Sequence, residues 1–81
     1  MPSLFENMAH PDNAAAVTPS DSVNLTNLGI LYVGGAGNVR VITAGGQTVT
    51  FSNVAAGTFL PVLIQRVLAT STTATNILVL Y

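Results

Sequence analysis

From Ser22 onward, short runs of apolar and β-branched residues alternate with clusters of glycine, asparagine, serine and threonine. Runs of this length and composition predict β-strands, and the clusters between them predict turns. The connections are too short for a crossover helix, so neighbouring strands are expected to run antiparallel. The predicted strands are Ser22–Leu25, Leu28–Val33, Val39–Thr43, Gln47–Phe51, Phe59–Leu68 and Asn76–Tyr81.

The predicted fold class is all-β: a small antiparallel β-barrel or sandwich of five to six strands with an extended N-terminal arm. The arm is residues 1–21, which hold three of the four prolines and all three acidic residues. The β domain is residues 22–81. A helical turn over Ala14–Ala16 is an alternative for part of the arm. The glycine-rich segments Gly34–Asn38 and Ala44–Gly46 are predicted as hairpin loops, since glycine readily supplies positive φ.

The apolar pattern divides the strands into two kinds. Gln47–Phe51 alternates, which predicts one face toward the core. Leu28–Val33, Phe59–Leu68 and Asn76–Tyr81 are apolar on both faces, and such strands are covered on both. We expect other subunits to cover the outer face, although a sheet folded over itself is an alternative for part of it. The predicted interface residues, the outward apolar positions and the two arginines, are Leu31, Val33, Arg40, Ile42, Leu63, Arg66, Val67, Leu78 and Leu80.

Charge is scarce in this chain. Charged residues make up 6% of the sequence, against roughly 25% in a typical soluble domain. Lysine is absent, and Arg40 and Arg66 are the only basic residues apart from His10. Soluble monomers usually carry interspersed charge that resists association, and a domain this small is stabilised only marginally by its own core. The composition therefore indicates a homo-oligomer within a larger assembly.

The chain has few side chains that can do chemistry. Cysteine is absent, and His10 stands with only three carboxylates, Glu6, Asp12 and Asp21. We therefore predict no catalytic residue, no cofactor and no metal site. Two arginines are too few for a phosphate-binding face, which argues against nucleic acid. The longest nearly apolar run, Phe59–Leu68, is far shorter than the roughly 20 residues of a membrane span, so we expect no membrane insertion.

Two features leave alternatives open. Arg40 and Arg66 are either salt-bridge partners, for instance of Asp21, or interface anchors of the kind that arginine often forms. The polar segment Thr70–Thr75 is either a simple connecting loop or a loop that binds sugar through its hydroxyls. A small carbohydrate-binding β module is accordingly an alternative function.

Four stretches together carry a family resemblance: Leu28–Val39, Gly45–Phe51, Ala56–Pro61 and Arg66–Ile77. They resemble the small spike base proteins of tailed phages and of the phage-like gene transfer agents of α-proteobacteria. The resemblance covers residues 22–81 and includes both glycine turns and the Thr-Thr-Ala-Thr-Asn segment.

The resemblance implies a virion structural protein: a head spike base on the capsid surface of a phage or gene transfer agent particle, made in the bacterial cytoplasm. Its partners would be further copies in a pentameric ring at a vertex, the capsid protein, and a spike fibre protein that attaches to the host surface. The family brings no catalytic residues. A tail or baseplate adaptor of the same kind of particle is another alternative. The distinct composition of the arm adds the hypothesis that Leu4, Phe5 and Met8 contact the capsid.

Overall fold

A computed structural model of the chain describes residues 11–81, and every regular element there is a β-strand. The strands form one six-stranded sheet in the order β1-β6-β2-β5-β3-β4, and all paired neighbours are antiparallel. The predicted all-β, antiparallel class is confirmed. The strand bounds are β1 Ala14–Ala16, β2 Gly29–Gly35, β3 Gly37–Thr43, β4 Thr48–Val54, β5 Thr58–Val67 and β6 Thr75–Leu80.

Residues 11–81 contain no helix with the length and hydropathy of a membrane span.

Five of the six strands lie where the sequence pattern predicts them, but the strand predicted at Ser22–Leu25 is wrong. The Leu25 amide donates one isolated hydrogen bond to the Gln65 carbonyl, at 2.8 Å. Nearby, the Ser20 hydroxyl accepts from the amides of Ser22 and Val23 at 3.2 and 3.1 Å. A serine hydroxyl that bonds nearby amides offers the backbone an alternative to a ladder, so this segment forms a turn.

The additional strand is β1, which lies within the range assigned to the arm. Ala14–Ala16 pairs with β6 in register from Leu80 to Leu78, so the alternative of a helical turn over the alanines is wrong. The free edge of β6 supplies hydrogen-bond partners that the isolated segment lacks. Val17 follows β1, bonds to the Ile77 carbonyl at 2.9 Å and packs against the core. Tertiary contacts therefore override the helical preference of alanine.

The sheet folds over on itself at β5. Strands β2 and β3 both run antiparallel to β5, β2 along its first part and β3 along its last part. Only Ala36 joins the end of β2 to the start of β3, and a flat sheet would hold those two ends far apart. Register shifts between Leu60 and Ile64 and between Ile64 and Arg66 mark the bend. A strand that turns a corner by bulging is how a single sheet forms two packed layers.

The two glycine-rich segments differ in what they connect. Ala44–Gly46 is a hairpin turn as predicted: Gly46 has φ 89°, and its amide bonds to the Thr43 carbonyl at 2.8 Å. The hairpin predicted at Gly34–Asn38 is wrong, since β5 lies between the two strands that this segment joins. At Gly37, which has φ 154°, a Cβ atom would lie 2.6 Å from the main-chain nitrogen of Ala74, so the crossing requires a residue without a side chain.

The core lies between the two layers. Side chains from β2 and β3, which are not neighbours in the sheet, meet there with β5 and β6. Fully burying an aliphatic side chain contributes about 1.5–3 kcal/mol, so this cluster is the main source of stability. Its members with 0% exposure are Leu31, Val33, Val39, Val41 and Ile64.

The outward placement expected for Leu31, Val33 and Val67 is wrong, since their exposures are 0, 0 and 2%. In β2 both alternating sets are apolar, and alternation alone does not tell which set faces the core. In β5 the bend changes the alternation, so Leu60, Ile64 and Val67 all point inward although they do not share one even spacing.

Candidate assembly interface

An apolar surface remains on the outer side of the layer formed by β6, β2 and β5. Ile30 pairs with Leu80, and Tyr32 pairs with Leu78 across β2 and β6. On its other side Tyr32 pairs with Phe59 of β5. We call these five residues the outer apolar face.

The centre of the outer apolar face is an aromatic pair. The rings of Tyr32 and Phe59 have centroids 5.0 Å apart and planes at 60°, an edge-to-face arrangement favoured by their quadrupoles. The Phe59 side chain is nonetheless 55% exposed. Tyr32, Ile30, Leu78 and Leu80 are half-buried. An aromatic group held by a neighbour and still half in solvent is suited to packing against another molecule.

A second uncovered surface is the edge of the sheet at β4. This strand pairs only with β3, and five of its seven residues are exposed. The Thr43 amide bonds to the Gln47 carbonyl at 2.8 Å, and Val41 pairs with Val49. The alternation of an antiparallel ladder therefore directs the main-chain groups of Thr48 and Thr50 away from β3.

The predicted interface residues divide into three groups. Leu31, Val33 and Val67 fill the core of this chain. Leu63 is 53% exposed on β5, and Ile42, Leu78, Leu80, Arg40 and Arg66 are half-buried. Their role in an interface stays a prediction. The arm residues Leu4, Phe5 and Met8 lie outside the described residues.

Sequence reasoning missed Ile30 and Tyr32 as outer-face residues, because they belong to the alternating set opposite Leu31 and Val33, which were predicted to face outward. It left Phe59 unassigned, although Phe59 alternates with Leu63, a predicted interface residue. One signal was available. Tyr32 carries a hydroxyl, and tyrosine usually keeps that end hydrated or hydrogen-bonded, so an outward Tyr32 agrees better with its chemistry than a fully buried one.

Arg66 is bound within its own chain. Its Nε donates to the Asn24 side-chain oxygen at 2.7 Å, and its Nη1 donates to the Asp21 carbonyl oxygen at 3.1 Å. Arg66 therefore contacts the main chain of Asp21 and ties the turn before β2 to β5. Arg40 lies close enough to the Asp21 carboxylate to contribute a favourable coulombic interaction.

The Asp21 carboxylate binds the loop between β5 and β6. Oδ1 accepts from the Thr70 amide at 2.9 Å, and Oδ2 accepts from the Thr70 hydroxyl at 2.6 Å. The Thr70 hydroxyl and amide, with smaller help from the Ala69 amide and Arg40, hold the pKa of Asp21 below its ordinary value of 3.8. Hydrogen bonds to the charged form of a carboxyl stabilise that form. The carboxylate therefore has a structural partner in this loop.

The threonine-rich loop uses its hydroxyls to hold the fold. Thr72 Oγ1 accepts from the Arg40 amide, and Thr73 Oγ1 accepts from the Asn38 amide, each at 2.9 Å. The amides of Thr73 and Ala74 return bonds to the Asn38 carbonyl at 2.9 and 3.1 Å. The loop thus covers the part of β3 that β5 does not reach. This geometry favours the connecting-loop interpretation, because these hydroxyls are already engaged within the chain.

Across residues 11–81, no three histidine, cysteine or acidic side chains come together as a metal site. What the described surface offers is therefore an apolar face, an open sheet edge and neutral hydrogen-bonding groups.

One solved structure is similar over nearly the whole chain. It is a chain of the "Capsid of native GTA particle computed with C5 symmetry", where GTA stands for gene transfer agent. The two chains are 39% identical, the match covers 88% of this chain and 83% of that one, and the TM-score is 0.79. This chain belongs to the family of that GTA capsid-particle protein. No protein-family model matches the chain, and no curated protein does.

Membership in the GTA capsid-particle family agrees with the surface described above. A component of a particle shell acts by contact with its neighbours, which implies a structural and non-enzymatic role. The family also explains the scarcity of charge, since surfaces that are covered in an assembly do not need the charges that keep a monomer soluble.

Proposed function

We propose that this protein is a head spike base, a ring-forming structural protein at the vertices of a gene transfer agent or related capsid, which links the capsid to a spike fibre. The observation that carries the proposal is the 39% identity, at a TM-score of 0.79, to a chain of a GTA capsid. The resemblance of residues 22–81 to spike base proteins supplies the specific role.

Symmetry supports the ring. The capsid that contains the similar chain was computed with C5 symmetry, and five copies about one axis fit such a vertex. Soluble homo-oligomers favour closed point-group symmetry. A pentamer of this chain is therefore the arrangement that we propose.

The exposed residues supply the contacts in this proposal. The outer apolar face and Leu63 offer apolar area for the fibre or the capsid. Ile42 and Arg40 lie on β3, beside the edge strand β4. Aromatic and arginine side chains are enriched at protein interfaces, and tyrosine and arginine are also enriched among binding hot spots.

The test is electron cryo-microscopy of particles from cells that lack this protein, compared with particles from complemented cells. We expect particles without the protein to keep their capsid and lose the density at the vertices, the spike fibre and most of their binding to host cells. Complementation with the full chain should restore all three. Unchanged vertices in the deletion strain would contradict the proposal, and loss of tail or baseplate density would favour the adaptor alternative.

Native mass spectrometry of the purified full chain tests the ring separately. We expect a pentamer, and a monomer at high concentration would contradict the ring.

A further inference from the structure

We infer that the β4 edge of one copy binds the β1 edge of the next copy in the ring, as an antiparallel strand pair with Thr50 opposite Ala14. The inference rests on the proposed ring and names the contact that closes it. It starts from the two ends of the sheet, because β1 and β4 are the strands with a single neighbour each within residues 11–81.

The β4 edge lacks the devices that protect a sheet edge. Soluble proteins block such edges with lysine, proline, inward charges or a covering segment. The strand Thr48–Val54 contains no charged residue and no proline. Val49 is 40% exposed, although it pairs with Val41, which is fully buried. A strand added beside β4 would therefore bond to its outward main-chain groups and cover part of Val49.

The β1 edge is open in the same way. The Asn13 amide and carbonyl both bond to the main chain of Tyr81, at 2.8 and 2.9 Å, and the Val17 amide bonds to the β6 main chain at 2.9 Å. The alternation of an antiparallel ladder therefore directs the main-chain groups of Ala14 and Ala16 away from β6. Both alanines are exposed, and their methyl side chains leave room for another strand. The sequence from Asn13 to Val17 contains no charge and no proline.

The outward main-chain groups of the two edges fix one register. In a hydrogen-bonded antiparallel pair, two residues that point their main-chain groups at each other lie opposite one another. Thr48 and Thr50 are the outward residues of β4, and Ala14 and Ala16 are those of β1. All four are used when Thr50 lies opposite Ala14 and Thr48 lies opposite Ala16. This register places the exposed Val49 beside the apolar middle residue of β1.

Charge is complementary in this register. Residues that lie opposite each other share one face of a sheet, as do residues two apart on one strand. Arg40 pairs with Thr50 across β3 and β4, and the exposed Asp12 lies two residues before Ala14. Asp12 of the next copy would therefore lie on the same face as Arg40, with only β4 between their strands. Opposite charges across an interface help to set its register.

A second copy is the occupant that suits a ring. A ring forms when one surface of each subunit binds a different surface of the next, and the β4 and β1 edges are two such surfaces. Pairing of β4 with β4, or of β1 with β1, would instead give a closed dimer whose other edges stay open. The similar chain belongs to a capsid computed with C5 symmetry, and five copies joined from β4 to β1 would leave neither edge exposed.

Cysteine cross-linking tests the contact and its register, since the chain has no cysteine of its own. Two full-length, differently tagged species would be produced together, one with Thr50→Cys or Thr48→Cys and the other with Ala14→Cys or Ala16→Cys. After mild oxidation we expect a disulfide between the two tags when Thr50→Cys meets Ala14→Cys and when Thr48→Cys meets Ala16→Cys.

The two diagonal combinations are the matched controls, because they use the same four variants. Opposite residues in a hydrogen-bonded pair have Cα atoms about 5.5 Å apart, within the range that a disulfide bridges. Diagonal neighbours lie about 7–8 Å apart, at or beyond the limit of about 7 Å. Thr50→Cys with Ala16→Cys, and Thr48→Cys with Ala14→Cys, should therefore give at least about tenfold less product.

A proline variant tests the β4 edge without cysteine. Thr50→Pro removes a main-chain N–H that points away from β3, which an edge strand tolerates, whereas Thr50→Val keeps it. We expect Thr50→Pro to retain its circular dichroism spectrum and run as a monomer, and Thr50→Val to keep the wild-type oligomer. If Thr50→Pro unfolds instead, the cross-linking pattern alone decides.

The outcomes separate this inference from the proposed function. A wild-type ring that gives no disulfide in the two expected combinations, or that favours the diagonal ones, would overturn this contact and leave the spike base standing. Disulfides mainly between copies with the same tag would show that like edges pair and would also overturn it, as would a ring that persists in folded Thr50→Pro. A monomeric wild type would overturn the ring itself.

Discussion

At the scale of single residues, carboxylate and hydroxyl oxygens in the described part of the chain accept hydrogen bonds from main-chain amides. Asp21 bonds to the amide and hydroxyl of Thr70, and Arg66 bonds to a main-chain carbonyl. These contacts tie the segment before β2 to the loop after β5. The Asp21 carboxylate therefore joins two connecting segments, the one before β2 and the one between β5 and β6, which would otherwise be independent.

The lowered pKa of Asp21 predicts a pH dependence of stability. Its pKa in the folded chain is below the ordinary 3.8, chiefly because of the Thr70 hydroxyl and amide. A carboxyl with a lowered folded pKa stabilises the fold above its unfolded pKa, and that contribution disappears as the pH falls through the folded pKa. We expect Asp21→Asn to melt at lower temperature than the wild type near pH 6.

Thermal unfolding followed by circular dichroism between about pH 2.5 and 7 measures the effect. The melting temperatures of wild type and Asp21→Asn should become equal as the pH falls below the range in which carboxyl groups ordinarily titrate. Asp12→Asn is the matched control, because Asp12 accepts from its neighbour Asn13 at 2.9 Å and binds no distant loop that would be released. A constant difference between Asp21→Asn and wild type at every pH would contradict the prediction.

At the scale of elements, the loop between β5 and β6 acts as an additional edge for β3. Strand β5 ends at Val67, which pairs with Val41, and β3 extends past that pair to Gly37. Thr72 and Thr73 supply hydroxyl acceptors for the two β3 amides left uncovered. The Leu68 amide completes the contact with the Arg40 carbonyl at 2.8 Å. Side-chain oxygens thus continue a ladder that main chain alone would not complete.

Thr72→Val should show the cost of losing one of these acceptors. The substitution keeps the shape of the side chain and leaves the half-buried Arg40 amide without its partner, which typically costs about 1–3 kcal/mol. Urea denaturation measures the free energy of unfolding, and we expect its dependence on urea concentration, the m-value, to stay unchanged. Thr48→Val is the control, because Thr48 is exposed on β4 and should change stability by less than about 0.5 kcal/mol. Equal losses in the two variants would refute this role of Thr72.

At the scale of the whole molecule, one folded sheet provides both the core and the contact surface. Folding at β5 buries Leu31 and Val33 of β2 between the layers. Tyr32 and Ile30, which alternate with them on β2, stay on the outside. A strand that is apolar on both sides thus has one side covered by its own chain and one side left for a partner.

Phe59→Ser should separate folding from assembly. The side chain is 55% exposed, so the isolated protein should lose no more than about 1–2 kcal/mol, mainly from the aromatic pair with Tyr32. Incorporation into particles, measured by quantitative mass spectrometry, should fall at least about tenfold, which corresponds to about 1.4 kcal/mol of binding. Val23→Ser, at a 66% exposed position outside the outer apolar face, should incorporate normally. Normal incorporation of Phe59→Ser would show that the outer apolar face makes no essential contact in the assembly.

The sequence predicted the strands well because strand composition and turn residues are local signals. Five strands and the Ala44–Gly46 hairpin follow from them. The bend in β5 decides which side of β2 faces the core, and it also turns Val67 inward. No local pattern in the sequence encodes that bend. β1 was missed since Ala14–Ala16 extends only because the edge of β6 is available.

The candidate surface was predictable in part. Leu78 and Leu80 project outward on β6, opposite the buried Ile77 and Val79, as the doubly apolar pattern indicated. Tyr32 was missed, because the choice between the two sides of β2 depends on the same bend. Phe59 could have been predicted, since it alternates with the exposed Leu63.

The bonds from Asp12 and Asn13 to the Tyr81 carbonyl, at 3.1 and 2.8 Å, hold the beginning and the end of the described chain at one corner of the subunit. Rotation about a single axis preserves height, so any ring of this chain would hold these corners at one level along its axis. A cyclic ring is also polar, because its rotation axis never exchanges one rim with the other. A label attached at Asn13, an exposed residue at this corner, would mark the same level in every subunit, and its height above the capsid would report which way up the ring sits.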